Sequence, residues 1–244
     1  NTPAGLEFDS NGNLYFADVS NHRIRKIDTS GNISTFAGTG IANYTGDGGA
    51  ATSATLNSPY RVTFDSNGNL YIADLSNDVI RKVDTNGNIS TFAGTGTGDY
   101  SGDGGAATSA TLNNPTGVAF DSNGNLYISS QNNDVIRKVD TNGNISTFAG
   151  TGTEGYSGDG GAATSATLSN PWGVTVDASG NVYIADSENH RIRKVDTNGN
   201  ISTFAGTGTE GYSGDGGAAT SATLNSSEMI RIHNNNAYIA DYGN

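Results

Sequence analysis

The sequence contains no cysteine, so neither a disulfide framework nor a thiolate zinc site can stabilise it. It is also poor in bases, with 12 Lys and Arg against 24 Asp and Glu, which gives a net charge of −12. Without a basic patch to neutralise phosphate groups, nucleic acid and anionic membrane surfaces are not expected partners. No apolar run approaches the length that a bilayer requires, so membrane insertion is not expected either.

Proline is nearly absent, and its spacing reveals the organisation of the chain. Pro3, Pro59, Pro115 and Pro171 stand 56 residues apart, and the segment Gly-Asp-Gly-Gly-Ala-Ala-Thr-Ser-Ala-Thr-Leu recurs unchanged at the same interval. The four copies of this segment occupy residues 46–56, 102–112, 158–168 and 214–224. A period of this length indicates a repeat architecture. Hydrophobic content is only 34%, but aromatic and β-branched residues recur at fixed positions, so disorder is not favoured.

Each repeat contains four short segments of strand character. In the last full repeat these segments lie at 173–177, 181–186, 190–196 and 201–206. A Ser-Gly pair separates the first two segments and an Asn-Gly pair separates the last two, and both pairs suit hairpin turns. A Gly-rich loop of about twenty residues then leads to the next repeat, and Gly and Asn interrupt every window long enough for a helix. This pattern predicts an all-β fold of four-stranded antiparallel β-propeller blades. A β-solenoid is the alternative, although its coils are usually shorter.

The predicted blades fill the whole chain. Residues 1–244 are expected to form a single propeller domain with four full blades and two strands of a fifth. The repeats are 3–58, 59–114, 115–170 and 171–226, with a partial repeat at 227–244. Because eighteen strands do not close a ring neatly, and because the first residue is Asn, we expect a missing segment or another chain to complete the propeller.

The segment Tyr-Ile-Ala-Asp-Ser-Glu-Asn-His-Arg-Ile-Arg-Lys-Val at 183–195 resembles the core of the NHL repeat. The Asn-His pair recurs at 21–22 and 189–190, whereas the second and third repeats carry Asn-Asp at 77–78 and 133–134. The long repeat form resembles NHL arrays of bacterial extracellular proteins and of teneurin-type adhesion receptors. This resemblance implies a six-bladed intact propeller, a secreted or cell-surface location, and one of several activities, since NHL-type propellers include binding modules and a few lyases.

The Gly-Asp-Gly-Gly segments offer a candidate metal site. Their carboxylates belong to Asp47, Asp103, Asp159 and Asp215. Calcium favours carboxylates on Gly-rich loops but needs six to eight oxygen ligands, and each loop supplies one carboxylate. We favour a structural turn in which Asp accepts backbone N–H groups, and we expect no cofactor. The Asp-Ser-Asn-Gly-Asn segments at 9–13, 65–69 and 121–125 are likewise interpreted as hairpin turns.

An arginine recurs in the middle of each third strand, and an aspartate recurs at the end of the second strand. The arginines are Arg25, Arg81, Arg137 and Arg193; the aspartates are Asp18, Asp74 and Asp186, with Ser130 in the third repeat. Because an isolated buried charge is very costly, we predict Asp–Arg pairs from blade to blade. These pairs would be structural.

The histidines do not indicate catalysis. His22 and His190 belong to the repeat motif, and His233 replaces an Asp of the other repeats. Three scattered histidines form no metal shell, and no nucleophile–base grouping is evident. An enzyme is therefore not expected; the alternative is a propeller lyase or hydrolase with a metal site at the channel mouth.

Positions at which the near-identical repeats differ are the best candidates for a binding site. Those at the entry to the innermost strands include Tyr60, Arg61, Thr116, Trp172 and Glu228, and Trp, Tyr and Arg are enriched in recognition sites. A second variable set lies between strands two and three, at 19–20, 75–76, 131–132 and 187–188. Both sets should decorate one face, although neutral drift is an alternative explanation.

The sequence therefore favours a non-catalytic binding or scaffold module that recognises a protein or carbohydrate through one loop-rich face. A structural subunit of an extracellular assembly is the further alternative.

Overall fold

The computed structural model describes residues 2–244, which form strands, turns and single-turn 3-10 segments without any α-helix. The strands are β1 (Pro3–Phe8), β2 (Leu14–Asp18), β3 (Arg23–Ile27), β4 (Ile33–Ala37), β5 (Pro59–Phe64), β6 (Leu70–Asp74), β7 (Val79–Val83), β8 (Ile89–Ala93), β9 (Pro115–Phe120), β10 (Leu126–Ser130), β11 (Val135–Val139), β12 (Ile145–Ala149), β13 (Pro171–Val176), β14 (Val182–Asp186), β15 (Arg191–Val195), β16 (Ile201–Ala205), β17 (Ser227–His233) and β18 (Asn236–Asp241).

Short 3-10 segments recur at two places in each repeat. They are Val19–Asn21, Ala51–Ser53, Leu75–Asn77, Ala107–Ser109, Gln131–Asn133, Ala163–Ser165, Ser187–Asn189 and Ala219–Ser221. Four of them connect the second and third strands of a blade, and four lie within the long loops. In the part of the chain that the structure describes, no helix has the length and apolarity needed to cross a membrane.

The strands form four four-stranded sheets and one two-stranded sheet, each with neighbours in chain order. The sheets are β1–β4, β5–β8, β9–β12, β13–β16 and β17–β18. The predicted all-β fold, with four antiparallel blades and two further strands, is confirmed, and the solenoid alternative is wrong. That 1–244 form one domain stays a prediction.

The hairpin between the first and second strands shows why the local sequence folds in this way. In the first blade the Asp9 carboxylate accepts the backbone N–H groups of Asn11 and Asn13, both at 2.9 Å, and the Asn13 side-chain amide at 2.7 Å. The same bonds recur at Asp65, Asp121 and Asp177. The interpretation of these segments as hairpin turns is confirmed, because their carboxylates are occupied by their own turns.

The chain divides into two compact units, Asn1–Val118 with Gly143–Ile145, and Ala119–Asn142 with Ser146–Asn244. In the first unit, Ile24 and Ala37 of the first blade pack with Leu70 and Ile72 of the second, all fully buried. In the second unit, fully buried Ile136, Ala149, Ile184 and Ile201 and nearly buried Tyr127 belong to one core cluster. Each core thus joins strands of consecutive blades.

The long loop after each of the first three blades packs along the outermost strand of the next blade. The backbone N–H of Gly48 donates to the carbonyl of Ile89 at 2.8 Å, and Ile89 returns a bond to Gly49 at 2.9 Å. In the second unit, Gly160, Gly161 and Ile201 make the equivalent bonds. The loop therefore pairs with an edge strand that would otherwise expose its backbone groups.

Candidate ligand-binding face

One end of each blade brings together three segments that are distant in sequence. In the second blade Pro59, which begins β5, pairs with Asp74, which ends β6. The Asp74 carboxylate accepts the N–H of Asn57 at 2.7 Å, and the Asn77 side chain donates to the carbonyl of Asn43 at 2.9 Å. We call this end, formed by the first-strand entry, the turn between strands two and three, and the long loop, the loop face. The opposite end, with the two hairpin turns, is the turn face.

The fourth blade has the same arrangement. Pro171 pairs with Asp186, whose carboxylate accepts the N–H of Ser169 at 2.8 Å. The Asn189 side chain donates to the carbonyl of Gly155 at 2.8 Å. The prediction that both variable sets and the long loop lie at one end of a blade is therefore confirmed within each of these blades.

Most of the predicted ligand-binding residues lie in β-bulges. Between Pro59 and Val62 the register with β6 shifts, so that Tyr60 and Arg61 occupy the bulge; Trp172 and Glu228 occupy the equivalent bulges of β13 and β17. Bulges re-aim side chains and are common beside functional sites. The bulges could not be identified from the sequence, because the repeats keep their length.

Burial separates these residues into two groups. Tyr60, Trp172 and Glu228 are partly exposed, whereas Arg61 is 6% exposed and Thr116 is fully buried. Tyr60, Arg61 and Thr116 belong to the first compact unit, and the other two belong to the second. The assignment of these five residues to a ligand site stays a prediction, and their burial indicates that only three can present side-chain surface.

A cavity of about 270 Å³ lies at the loop face where the third and fourth blades meet within the second unit. It is lined by Gln131, Asn132, Asp134, Glu154, Ser169, Asn170 and Glu188. Three of these, at 131, 132 and 188, belong to the second variable set of the sequence. Burial, followed by the nearby charge of Glu154, raises the pKa of Asp134 despite its bond to the Asn170 N–H. The sequence analysis identified the variable positions but missed the cavity.

The residue that distinguishes Asn-His from Asn-Asp repeats has a structural role that sequence reasoning missed. His22, Asp78, Asp134 and His190 all adopt left-handed backbone conformations, with φ of 49–54°. Each side chain accepts the N–H of a residue 36 positions later, in the segment that leads into the next blade. The pairs are His22–Ser58 (3.0 Å), Asp78–Asn114 (2.8 Å), Asp134–Asn170 (2.8 Å) and His190–Ser226 (3.3 Å). We call these bonds the inter-blade clasps.

The clasps explain the alternation of His and Asp. An imidazole nitrogen and a carboxylate oxygen are both acceptors, so either residue can hold the donating N–H. The acceptor role also accounts for His22 and His190 without any metal chemistry. Among residues 2–244, no group of three or more His, Cys, Asp or Glu side chains is placed to hold a metal ion.

The recurrent arginine lies in a buried ionic cluster. The Arg81 side chain is fully buried; its Nη2 lies 2.5 Å from Asp47 and its Nη1 lies 3.7 Å from Asp74. Arg193 is placed in the same way, 2.6 Å from Asp159 and 3.2 Å from Asp186.

The prediction of blade-to-blade Asp–Arg pairs was wrong for the aspartates that end the second strands. Asp74 and Arg81 belong to β6 and β7, which are adjacent strands of one blade. Arg81 pairs directly with Ile72, so Asp74, two residues further along β6, lies diagonally across from Arg81. The second carboxylate, from Asp47, arrives on the long loop of the preceding repeat. The third blade has Ser130 in place of the first carboxylate, and its hydroxyl donates to Asn133 at 2.7 Å.

The Gly-Asp-Gly-Gly carboxylate is also more than a local turn. The Asp47 carboxylate accepts the N–H and the hydroxyl of Thr91 on β8, at 3.1 and 2.7 Å, in addition to Arg81. Asp159 makes the same bonds to Thr203, and although partial burial raises its pKa, these bonds and Arg193 hold the pKa below its usual value. The flanking Gly46 and Gly48 have φ of 98° and 82°, in the left-handed region that glycine adopts readily.

Two carboxylates share one guanidinium, and the carboxylate that ends the second strand is fully buried. Burial raises the pKa of Asp74 to about 7 and that of Asp186 to about 6, even though both accept hydrogen bonds. The pKa of Asp186 rises less than that of Asp74. This agrees with the distances, because Asp186 lies 3.2 Å from Arg193 whereas Asp74 lies 3.7 Å from Arg81. The cluster can therefore hold a proton near neutral pH.

Comparison with known proteins agrees with this geometry. The family model described as "Teneurin NHL domain" matches residues 39–100, 95–157 and 151–211. Teneurin-1 of Gallus gallus is 30% identical over 271 residues, covering 95% of this chain and 10% of the relative. NHL repeat-containing protein 2 of Bos taurus is 31% identical over 278 residues, covering all of this chain and 38% of the relative. The chain thus spans well under half the length of these relatives.

Solved structures show the same fold at low sequence identity. A nidogen/laminin complex has a TM-score of 0.66 at 19% identity and covers 99% of this chain and 72% of that one. An auxiliary nutrient binding protein from Bacteroides ovatus has a TM-score of 0.70 at 17% identity, covering 98% and 56%. A streptogramin B lyase has a TM-score of 0.62 at 15% identity, covering 98% and 62%. Because the family model matches more than half of the chain, this chain belongs to the NHL-repeat family.

Proposed function

We propose that the chain is a non-catalytic binding module that recognises a protein partner through its loop face. Tyr60 and Trp172 supply aromatic contact surface and Glu228 supplies a polar anchor. The buried Arg61 and Thr116 support the first-strand entries from beneath. The relatives named teneurin favour an exported or cell-surface location for the module.

One observation carries this proposal: the positions at which nearly identical repeats differ collect at the loop face. There they occupy bulges, the turns between strands two and three, and the lining of the 270 Å³ cavity. Several residues that maintain the fold are repeated unchanged, as the Asp47–Thr91 and Asp159–Thr203 bonds show. Differences that collect at the loop-face ends of the blades are expected where those ends serve recognition.

The test is a comparison of two surface variants in a binding screen against extracellular proteins. A Tyr60→Ala, Trp172→Ala double variant removes two partly exposed aromatic rings from the loop face. Phe8→Ala is the matched control, because Phe8 is 63% exposed and lies at the turn face of the first blade. The double variant should lose at least about tenfold in affinity, or roughly 1.4 kcal/mol, while the control binds like the unmodified chain.

Equal binding by the double variant and the unmodified chain, for every partner found, would contradict the proposal. A carbohydrate partner at the same face is the alternative ligand class. A propeller lyase or hydrolase has only the likeness in fold to support it, and stoichiometric zinc or calcium in the purified protein would favour that activity. Size-exclusion chromatography and electron microscopy of native material test the structural-subunit alternative.

A further inference from the structure

A second kind of cavity recurs on the turn face, away from the proposed protein-binding surface. Groove A, of about 740 Å³, lies between the first and second blades; its walls include Tyr15, Lys26, Phe36 and Phe64. Groove B, of about 470 Å³, lies between the third and fourth blades and includes Tyr127, Lys138 and Phe148. Volumes of this size are typical of small-ligand sites.

Both grooves have an aromatic floor. In groove A the Tyr15 ring meets Phe36 edge-on at 4.9 Å and Phe64 at 5.0 Å, and both phenylalanines are partly exposed. In groove B the Tyr127 ring meets Phe148 at 4.7 Å in the same way. The position of Phe64 is taken by Val176 in the fourth blade, which makes the floor of groove B less aromatic.

The rims carry polar side chains that the fold does not use. The side chains of Ser10, Asn11, Ser66 and Asn67 are exposed at groove A and make no hydrogen bond to another residue within 2–244, although the backbone of each asparagine does. Ser122 and Asn123 have the same place at groove B. The adjacent Asp9 and Asp65 carboxylates are occupied by their turns.

The charges in the grooves disfavour ionic ligands. In groove A one ammonium, that of Lys26, faces three carboxylates, and it lies 5.4 Å above the Tyr15 ring without forming an ion pair to a described residue. Because the carboxylates are already hydrogen-bonded within turns, they have little left to offer a cation, while their charge and the net charge of −12 repel anions. The complementary ligand is neutral and rich in hydroxyl groups.

We propose that grooves A and B are binding sites for a neutral saccharide. The C–H face of a sugar ring would pack on the exposed phenylalanine surface, and its hydroxyl groups would bond the free serine and asparagine side chains.

The test uses the whole chain and four neutral disaccharides: cellobiose, maltose, lactose and N,N′-diacetylchitobiose. NMR titration follows the side-chain amides of Asn11 and Asn67 for groove A and of Asn123 for groove B. At least one disaccharide should shift all three amides with a dissociation constant of about 10 mM or tighter.

Matched variants locate the binding. Asn11→Ala with Asn67→Ala should weaken binding at groove A at least about tenfold and leave the Asn123 shifts unchanged, since these side chains are not used by the fold. Phe64→Val should lower the affinity of groove A towards that of groove B. Three results would overturn the proposal: no shift with any disaccharide, binding that is lost with Trp172→Ala rather than with the asparagine variants, or tighter binding of a uronate-containing disaccharide.

Discussion

The buried cluster of Asp47, Asp74 and Arg81 gives a quantitative prediction, because its two carboxylates should differ in their importance for stability. Asp47 makes the close contact to Arg81 at 2.5 Å and holds two donors of Thr91. Removing one partner of a buried ion pair costs about 3–5 kcal/mol. Asp47 is 46% exposed, and Asp74 can ionise to replace it, so we expect Asp47→Ala to lower the free energy of unfolding by about 2–3 kcal/mol.

Asp74→Ser should be much milder at alkaline pH. The third blade carries Ser130 at this position and keeps its arginine fully buried, so one carboxylate suffices. We expect Asp74→Ser to lower the free energy of unfolding by no more than about 1 kcal/mol at pH 8. Urea unfolding of both variants beside the unmodified chain measures the difference.

The pH dependence provides an independent signature. A carboxyl group whose pKa is higher in the folded chain than in the unfolded chain binds its proton more tightly when folded. Its stabilising contribution is therefore present in acid and lost as the pH rises through the folded-state pKa, about 7 for Asp74 and about 6 for Asp186. The cost of Asp74→Ser should accordingly be larger at pH 5 than at pH 8. A cost that grows with rising pH, or a larger loss at pH 8 for Asp74→Ser than for Asp47→Ala, would refute this account of the cluster.

Two further pairs of substitutions test other contacts by thermal unfolding. His22→Ala should destabilise the chain by about 1 kcal/mol because the Ser58 N–H loses its acceptor, whereas His22→Asp should be nearly neutral because Asp78 holds the same clasp. An equal loss in both variants would show that the imidazole acts through packing. Gly46→Ala should cost at least about 2 kcal/mol more than Gly48→Ala. Both glycines have positive φ, but a Cβ on Gly46 would lie 2.6 Å from that of Ala54, while a Cβ on Gly48 would meet nothing within 4 Å. Similar melting temperatures for the two would contradict the clash.

The strands and hairpins could be predicted because their causes are local. The turn at Asp9–Asn13 is determined by bonds within five residues, and every blade repeats them. The pairing of Asp74 with Arg81 joins adjacent strands of one blade, and its register depends on the 3-10 segment Leu75–Asn77 between those strands. No turn motif in the sequence marks this segment, so the pattern of the repeats did not predict the pairing within the blade.

Other features depend on contacts that no local pattern encodes. The bond from Asp47 to Thr91 joins residues 44 positions apart, and the clasp from His22 to Ser58 joins residues 36 positions apart. Their geometry follows from how consecutive blades pack. The volumes of the grooves and of the loop-face cavity depend on side-chain packing in the same way, so the sequence indicated which positions vary but not what they enclose.

The packing of each long loop on the following blade means that the sequence repeat and the cooperative structural element are out of phase. A cut made just before Pro59 would separate Arg81 from Asp47 and remove the strand-like partner of Ile89. A fragment intended to retain an intact second blade must instead begin near Gly38, where the loop starts. Conversely, excising 56 consecutive residues within the repeats keeps the unchanged Gly-Asp-Gly-Gly segment in register with the blade that follows it.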